Sequence, residues 1–167
     1  QLLFEALGLP FLPIYNDYQY KWVWRPDDRN AVTVLGLGAL DDFELNSDLA
    51  SDPAATDYLN QVAILDLLPI SEQWNYMQGV KWDRYMGDGR WTFVLSRNML
   101  NNSAFKHVDN DVTLPRTLDY VSQEIENKFR AERFRAVPGG WKVSGGINAE
   151  YAKYNNRTQN SVFVPGE

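Results

Sequence analysis

The chain has 167 residues, enough for one ordinary domain, and its 44% hydrophobic content belongs to a packed protein and not a disordered one. Sixteen basic residues against twenty-two acidic ones give a net charge of −6 and an isoelectric point near 4.8, which argues against an electrostatic grip on nucleic acid. The absence of Cys and the single His107 remove disulfides, thiolate zinc sites, thiol nucleophiles and most triad chemistry, so no metal, no cofactor and no enzymatic activity is expected.

The first predicted element is written in "NDYQYKWVWRP". Tyr18, Tyr20, Trp22 and Trp24 fall at every second position, with Gln19, Lys21, Val23 and Arg25 between them. A strand turns successive side chains to opposite faces, so the four rings form one apolar wall and a mostly polar row lines the other side. One such strand does not say whether the wall meets a second protein layer or a membrane, where Trp and Tyr favour the boundary; for a lone strand the soluble core is the commoner answer. No apolar run approaches the length of a transmembrane helix, but a membrane β-strand needs only about 9–11 residues of alternating character.

Turn signals "PDDRNA" at 26–31, "GDGR" at 87–90 and "VPGG" at 137–140 each separate two strand-like runs and predict three β-hairpins. The hairpins span 17–43, 73–99 and 121–154. The connections between them, 46–72 and 100–120, are long; the first holds "ATDYLNQVAILDLL", whose Leu59, Val62, Ala63 and Leu67 suggest one short helix. Short turns therefore alternate with long loops, the asymmetry of an outer-membrane barrel.

The faces follow by alternation. Leu35, Leu37 and Ala39 of the second strand are expected outward with the rings, leaving Gly36 and Gly38 inward. Trp74, Tyr76, Val80 and Trp82 share a side of the third strand, and Trp91, Phe93 and Leu95 a side of the fourth. The fifth strand sets Glu124, Glu126, Lys128, Arg130 and Glu132 against Ile125 and Phe129, and the sixth sets Lys142 and Glu150 against Trp141 and Tyr151. The expected fold is all-β: an antiparallel up-and-down meander of about six strands.

Several phrases, "LGLPFLPIYNDYQYKW", "VTVLGLGALDDFELN", "LPISEQWNYMQGVKW", "FVLSRNMLNN", "EIENKFRAERF" and "AEYAKYNNRT", together resemble the barrel of TonB-dependent receptors, in particular the carboxypeptidase-like-domain/plug group of Gram-negative gut bacteria. The resemblance runs through nearly the whole chain. It implies a large transmembrane β-barrel in the bacterial outer membrane that holds a plug domain and imports a scarce solute with energy delivered by TonB. An external lipoprotein lid is a further implied partner. No position here matches a TonB box or a plug, so the chain reads as an internal portion of the barrel, contacting lipid, plug and the remaining strands of the same receptor.

On that reading Gln19, Lys21, Arg25, Glu124, Glu126, Lys128, Arg130, Glu132, Lys142 and Glu150 are candidates for the lumen or plug side. Tyr18, Tyr20, Trp22, Trp24, Trp74, Tyr76, Trp82, Trp91, Phe93, Ile125, Phe129, Trp141 and Tyr151 are candidates for the lipid side. Glu124 and Glu126 stand about 6.6 Å apart by strand rise, a spacing that paired glycosidase carboxylates can share, but the adjacent Lys128 and Arg130 hold them ionised and nothing raises one for acid duty. "DNDVT" carries Asp109 and Asp111 as an Asn/Asp turn, lacking the Gly and distal Glu of a calcium loop. The competing function is a soluble, aromatic-rich sheet that binds carbohydrate on exposed rings.

Overall fold

The computed structural model describes residues 8–161 and forms one six-stranded antiparallel sheet in the order β1-β2-β3-β4-β5-β6. The strands are β1 (Phe11–Asp27), β2 (Asn30–Leu45), β3 (Ile70–Met86), β4 (Gly89–His107), β5 (Arg116–Val137) and β6 (Trp141–Asn160). They are long, 16 to 22 residues, against the roughly 3–10 usual in globular sheets. Each pairs only with its neighbour in sequence, so the three tight turns lie at one rim and the two longer connections at the other. Gly139 and Gly140 take φ of +86° and +82°, which fits glycine to the third turn.

The strands outrun the expected hairpins. Residues 100–107 and 116–120, expected as loop, continue β4 and β5, their backbones pairing residue by residue as far as an irregularity between Lys106 and His107; only 108–115 connect the two strands. The other connection holds a helix, α1 (Tyr58–Leu67). Its expected stripe does not form a buried face: Leu59 and Leu67 are about four-fifths exposed and Leu65 is the buried residue. Asn110 Nδ2 donates to the Leu65 carbonyl at 2.9 Å and to Asp66 Oδ1 at 3.2 Å, so the second loop caps the end of the helix in the first.

Directly opposed residues in an antiparallel pair point to the same side, so the register assigns every face. Trp24, Val32, Trp82, Phe93, Ala131 and Ile147 make one row across all six strands; Trp22, Val34, Val80, Leu95, Phe129 and Ala149 make the next. This register corrects the expectation for β2. Gly36 and Gly38 lie opposite Tyr20 and Tyr18 on the aromatic face, whereas Leu35, Leu37 and Ala39 lie opposite Lys21, Gln19 and Asp17 on the other. The tyrosine rings fold over the two glycines, in the space a side chain would occupy.

The rim is staggered. Asn30, Arg84, Trp91 and Arg133 share one row; the first turn closes there, the second two residues further out at Met86 and Gly89, and the third two further again at Val137 and Trp141. The edge thus advances one residue per strand. No second layer covers either face among the described residues, and the buried hydrophobic residues are Leu12, Ala31, Leu65 and Ala131 alone among them.

The glycine contacts generate a prediction. A Cβ at Gly38 would lie 2.6 Å from the Asn75 carbonyl oxygen as well as against Tyr18, while the nearest atoms to one at Gly36 all belong to the movable Tyr20 ring. Gly38→Ala is therefore expected to destabilise the intact protein by about 1–3 kcal/mol, and Gly36→Ala by less. Denaturant unfolding checks the order, and adding Tyr20→Ala to Gly36→Ala should recover part of the loss.

Candidate functional site

The chemistry divides between two faces. On the aromatic face the sequence-predicted residues Tyr18, Tyr20, Trp22, Trp24, Trp74, Tyr76, Trp82, Trp91, Phe93, Ile125, Phe129, Trp141 and Tyr151 all fall together by register. Same-strand rings two residues apart stack, Trp22 on Trp24 at 6.2 Å, Trp74 on Tyr76 at 6.3 Å and Trp91 on Phe93 at 5.8 Å, and Trp82 meets Phe93 across the strand gap at 5.3 Å. The indole N–H of Trp82 donates to Asn30 Oδ1 at 3.0 Å, leaving that ring apolar toward the face and satisfied at the rim. This face is uncovered: Trp141 is 72% exposed and Leu95 61%.

On the opposite face the candidates do not form one cluster. Glu124, Glu126, Lys128, Arg130 and Glu132 of β5 share the face with Glu150 of β6, which pairs with Lys128 in register. Lys128 Nζ lies 2.9 Å from Glu126 and 3.8 Å from Glu150, and Arg130 pairs with Glu132 at 2.5 Å. The expected neutralisation of Glu124 is not what forms: among the described residues its opposed neighbours are Leu100 and Tyr154, and Lys128 serves Glu126 instead. Gln19 and Lys21 lie four strands away, roughly 19 Å by strand spacing, opposite Leu37 and Leu35. Lys142 is at the turn rim opposite Ala136. Arg25 falls where the β1–β2 register shifts, in a rim cleft with Asp27, Asp28 and Tyr85, outside the regular ladder. The face therefore holds an apolar island on β2 and β3, made of Leu35, Leu37, Ala39 and Met77, beside a charged ladder on β5 and β6.

Both rims are tied down. In the second turn Asp88 accepts from Arg133 Nη2 at 3.0 Å and lies 2.6 Å from Arg135 Nε, while Ala136 N donates to the Asp88 carbonyl at 2.7 Å. The turn of one hairpin is thereby hooked onto the next. Burial pushes the Asp88 carboxyl up, but the Arg133 hydrogen bond and the charges of Arg135 and Arg133 outweigh it, and its pKa lies below the usual value of 3.8. At the other rim His107 donates from Nδ1 to the Leu114 carbonyl at 2.6 Å and closes the second loop. Asp111 accepts from the Thr113 hydroxyl at 2.7 Å and its N–H at 2.9 Å, an Asx turn as the sequence suggests.

Sequence reasoning missed Arg97. It sits on the aromatic face between Leu95 and Met99, opposite Gln78 and Asn127, and one more step along the alternation of β4 would have found it. No group of three or more His, Asp or Glu side chains that could hold a metal ion exists among the described residues. A scan against protein-family models finds no match to this chain, and a search of curated proteins finds none either.

The Asp88 hook carries a pH signature. A carboxyl whose folded pKa is depressed contributes its stability fully above the unfolded value and loses it as pH falls through the folded value. Asp88→Asn should lower the unfolding midpoint of the intact protein at neutral pH, and the difference from the parent should vanish as pH drops below the ordinary carboxylate value of 3.8. Denaturant titrations across that range check it; a difference independent of pH would show that the ion pairs contribute nothing.

Proposed function

We propose that this sheet is a section of the wall of a large β-barrel in the bacterial outer membrane, and that the protein is a TonB-dependent importer of a scarce solute. The observation that carries the reading is the aromatic face: two unbroken apolar rows cross all six strands, and between the turn rim, where Asp27 and Asp88 lie, and the row of Asn16, Leu40, Trp74, Asn101, Gln123 and Asn155 no carboxylate shares that face among the described residues. Such a face suits hydrocarbon and leaves a water-exposed sheet with no means of covering its rings.

The dimensions support it. If the three turns lie level, a stagger of one residue per strand corresponds to a tilt of roughly 35°, within the range of membrane barrels. Trp141 and Tyr151 are ten residues apart on β6, roughly 34 Å along the strand and roughly 28 Å in height at that tilt, against an apolar band of about 25 Å in membrane barrels. Trp24, Trp82, Trp91 and Trp141 then mark the boundary beside the short turns. Six strands at this stagger do not close around a plug, so the other strands, the plug and the TonB-contacting segment belong to the rest of the receptor.

The opposite face would line the lumen. Its Glu126–Lys128–Glu150 and Arg130–Glu132 ladder offers charged partners to a plug that must dock and later move, and exposed pairs of this kind hold a surface in register with little net stabilisation. The apolar island of Leu35, Leu37 and Met77 offers a dry contact beside it. No step here is catalytic; import is binding from the loop side followed by displacement of the plug.

Single cysteines at positions 125, 128 and 129 of the intact protein test the assignment. A lipid-soluble quencher is expected to reach labels at 125 and 129, and a polar reagent to reach 128 only from the lumen. Phe129→Arg should destabilise the barrel by about 2–4 kcal/mol if near the bilayer midplane. Labels at 125 and 129 shielded from lipid, in a protein that needs no detergent and whose tryptophan fluorescence is quenched by oligosaccharides, would sink the barrel reading and favour the carbohydrate-binding sheet.

A further inference from the structure

Arg97 stands on the aromatic face in the first row loopward of its two unbroken apolar rows. Its row reads Tyr20, Gly36, Gln78, Arg97, Asn127 and Tyr151, so three polar side chains on adjacent strands cross the aromatic face at one level. The guanidinium is held by neutral groups: Nε donates to the Tyr76 hydroxyl at 3.0 Å and Nη1 to Asn127 Oδ1 at 3.4 Å. Tyr76 pairs with Met99, one step nearer the loops, so the arginine leans toward the loop rim. Lys153 lies in that same next row, opposite Ile125, two strands from β4.

Strand spacing and rise put the two cations about 12 Å apart at the backbone, within converging reach of two long side chains. Among the described residues neither pairs with a carboxylate, and on this face the nearest carboxylates, Asp42, Glu72 and Asp119, begin beyond the Asn101 row toward the loops. Of the turn-side cations, Arg133 and Arg135 are engaged by Asp88, so Arg84 has no second unpaired cation in its row among the described residues. A positive charge at the edge of an apolar band, oriented by neutral acceptors and left without a counter-ion, is complementary to an anion that arrives with the band itself. We propose that Arg97 and Lys153 bind the phosphate of an anionic lipid in the loop-side leaflet, with the Tyr76 and Tyr151 rings flanking the headgroup. The forked guanidinium suits bidentate contact with phosphate, and the ammonium adds a second point charge.

The inference rests on the lipid-facing reading of the aromatic face. It is tested on the intact protein, purified in a neutral detergent and mixed with lipid A carrying its phosphates, with the same lipid after phosphate removal, or with inorganic phosphate; retained lipid is counted by native mass spectrometry. The parent is expected to retain the phosphorylated lipid, and Arg97→Gln with Lys153→Gln to lower retention about tenfold, the weight of one charge-assisted contact. Arg84→Gln at the other rim should leave retention unchanged. Arg97→Lys, which keeps the charge, should fall between and remains readable if the double variant does not assemble. Equal retention by the variants, equal retention of the dephosphorylated lipid, or displacement of the lipid by inorganic phosphate would each overturn the lipid-phosphate site while leaving the barrel intact. A protein that does not partition into membrane or detergent at all would overturn both readings.

Discussion

The backbone ladder is the constraint on which everything else in this molecule depends. With Leu12, Ala31, Leu65 and Ala131 the buried hydrophobic residues among those described, no packed core orients the strands; the pairing of each with its neighbour does. Because side chains alternate with period two, slipping one strand by a single residue would carry Trp22 and Trp24, or Phe129 and Ile125, to the charged face. The register is therefore the structural fact that turns six alternating segments into two chemically distinct surfaces.

That separation is electrostatic as well as apolar. Several charged side chains on the ladder face sit beside opposite charges, as with Lys81 and Asp83 at 2.7 Å, where Asp83 is also bonded by the Thr92 hydroxyl. On the aromatic face the charges between the two rims are all positive, and Arg133 and Arg135 at the turn rim are met by a carboxylate reaching over from the turn. Such a face tolerates a low dielectric on one side only if its cations have somewhere to send their charge, and both the Asp88 hook and the Arg97 lean meet that requirement.

Strand order and face were legible where polar and apolar residues contrast sharply. Tyr18 to Trp24 against Gln19 and Lys21 leaves no ambiguity, and the three turn signals fall where the chain turns. β2 was misread because Leu35 and Leu37 alternate with glycines, which carry no side chain to declare a face; what decides is the neighbouring Tyr18 and Tyr20 rings, a non-local fact absent from the segment itself. The Asn-rich residues 100–107 looked like loop because amide side chains are common in both turns and exposed ladders. Helix α1 was legible as a helix, but its C-terminal cap comes from Asn110, 43 residues beyond the end of the helix, a partner that no local pattern names.

Pairing of consecutive strands alone also shapes how this sheet comes into being. The three hairpins close across two or three residues, whereas β2 must find β3 across the 24 residues of 46–69. Loop-closure entropy grows with that length, so the hairpins are the units that form first and their docking is the slower event. The Asp88 hook then acquires a kinetic meaning, since it joins the turn of the second hairpin to the first strand of the third and gives an arriving hairpin a polar contact at the rim before its ladder is complete. Assembly would run like a zip engaged from the turn end, leaving the loop end, with α1 and its cap, as the last part to settle.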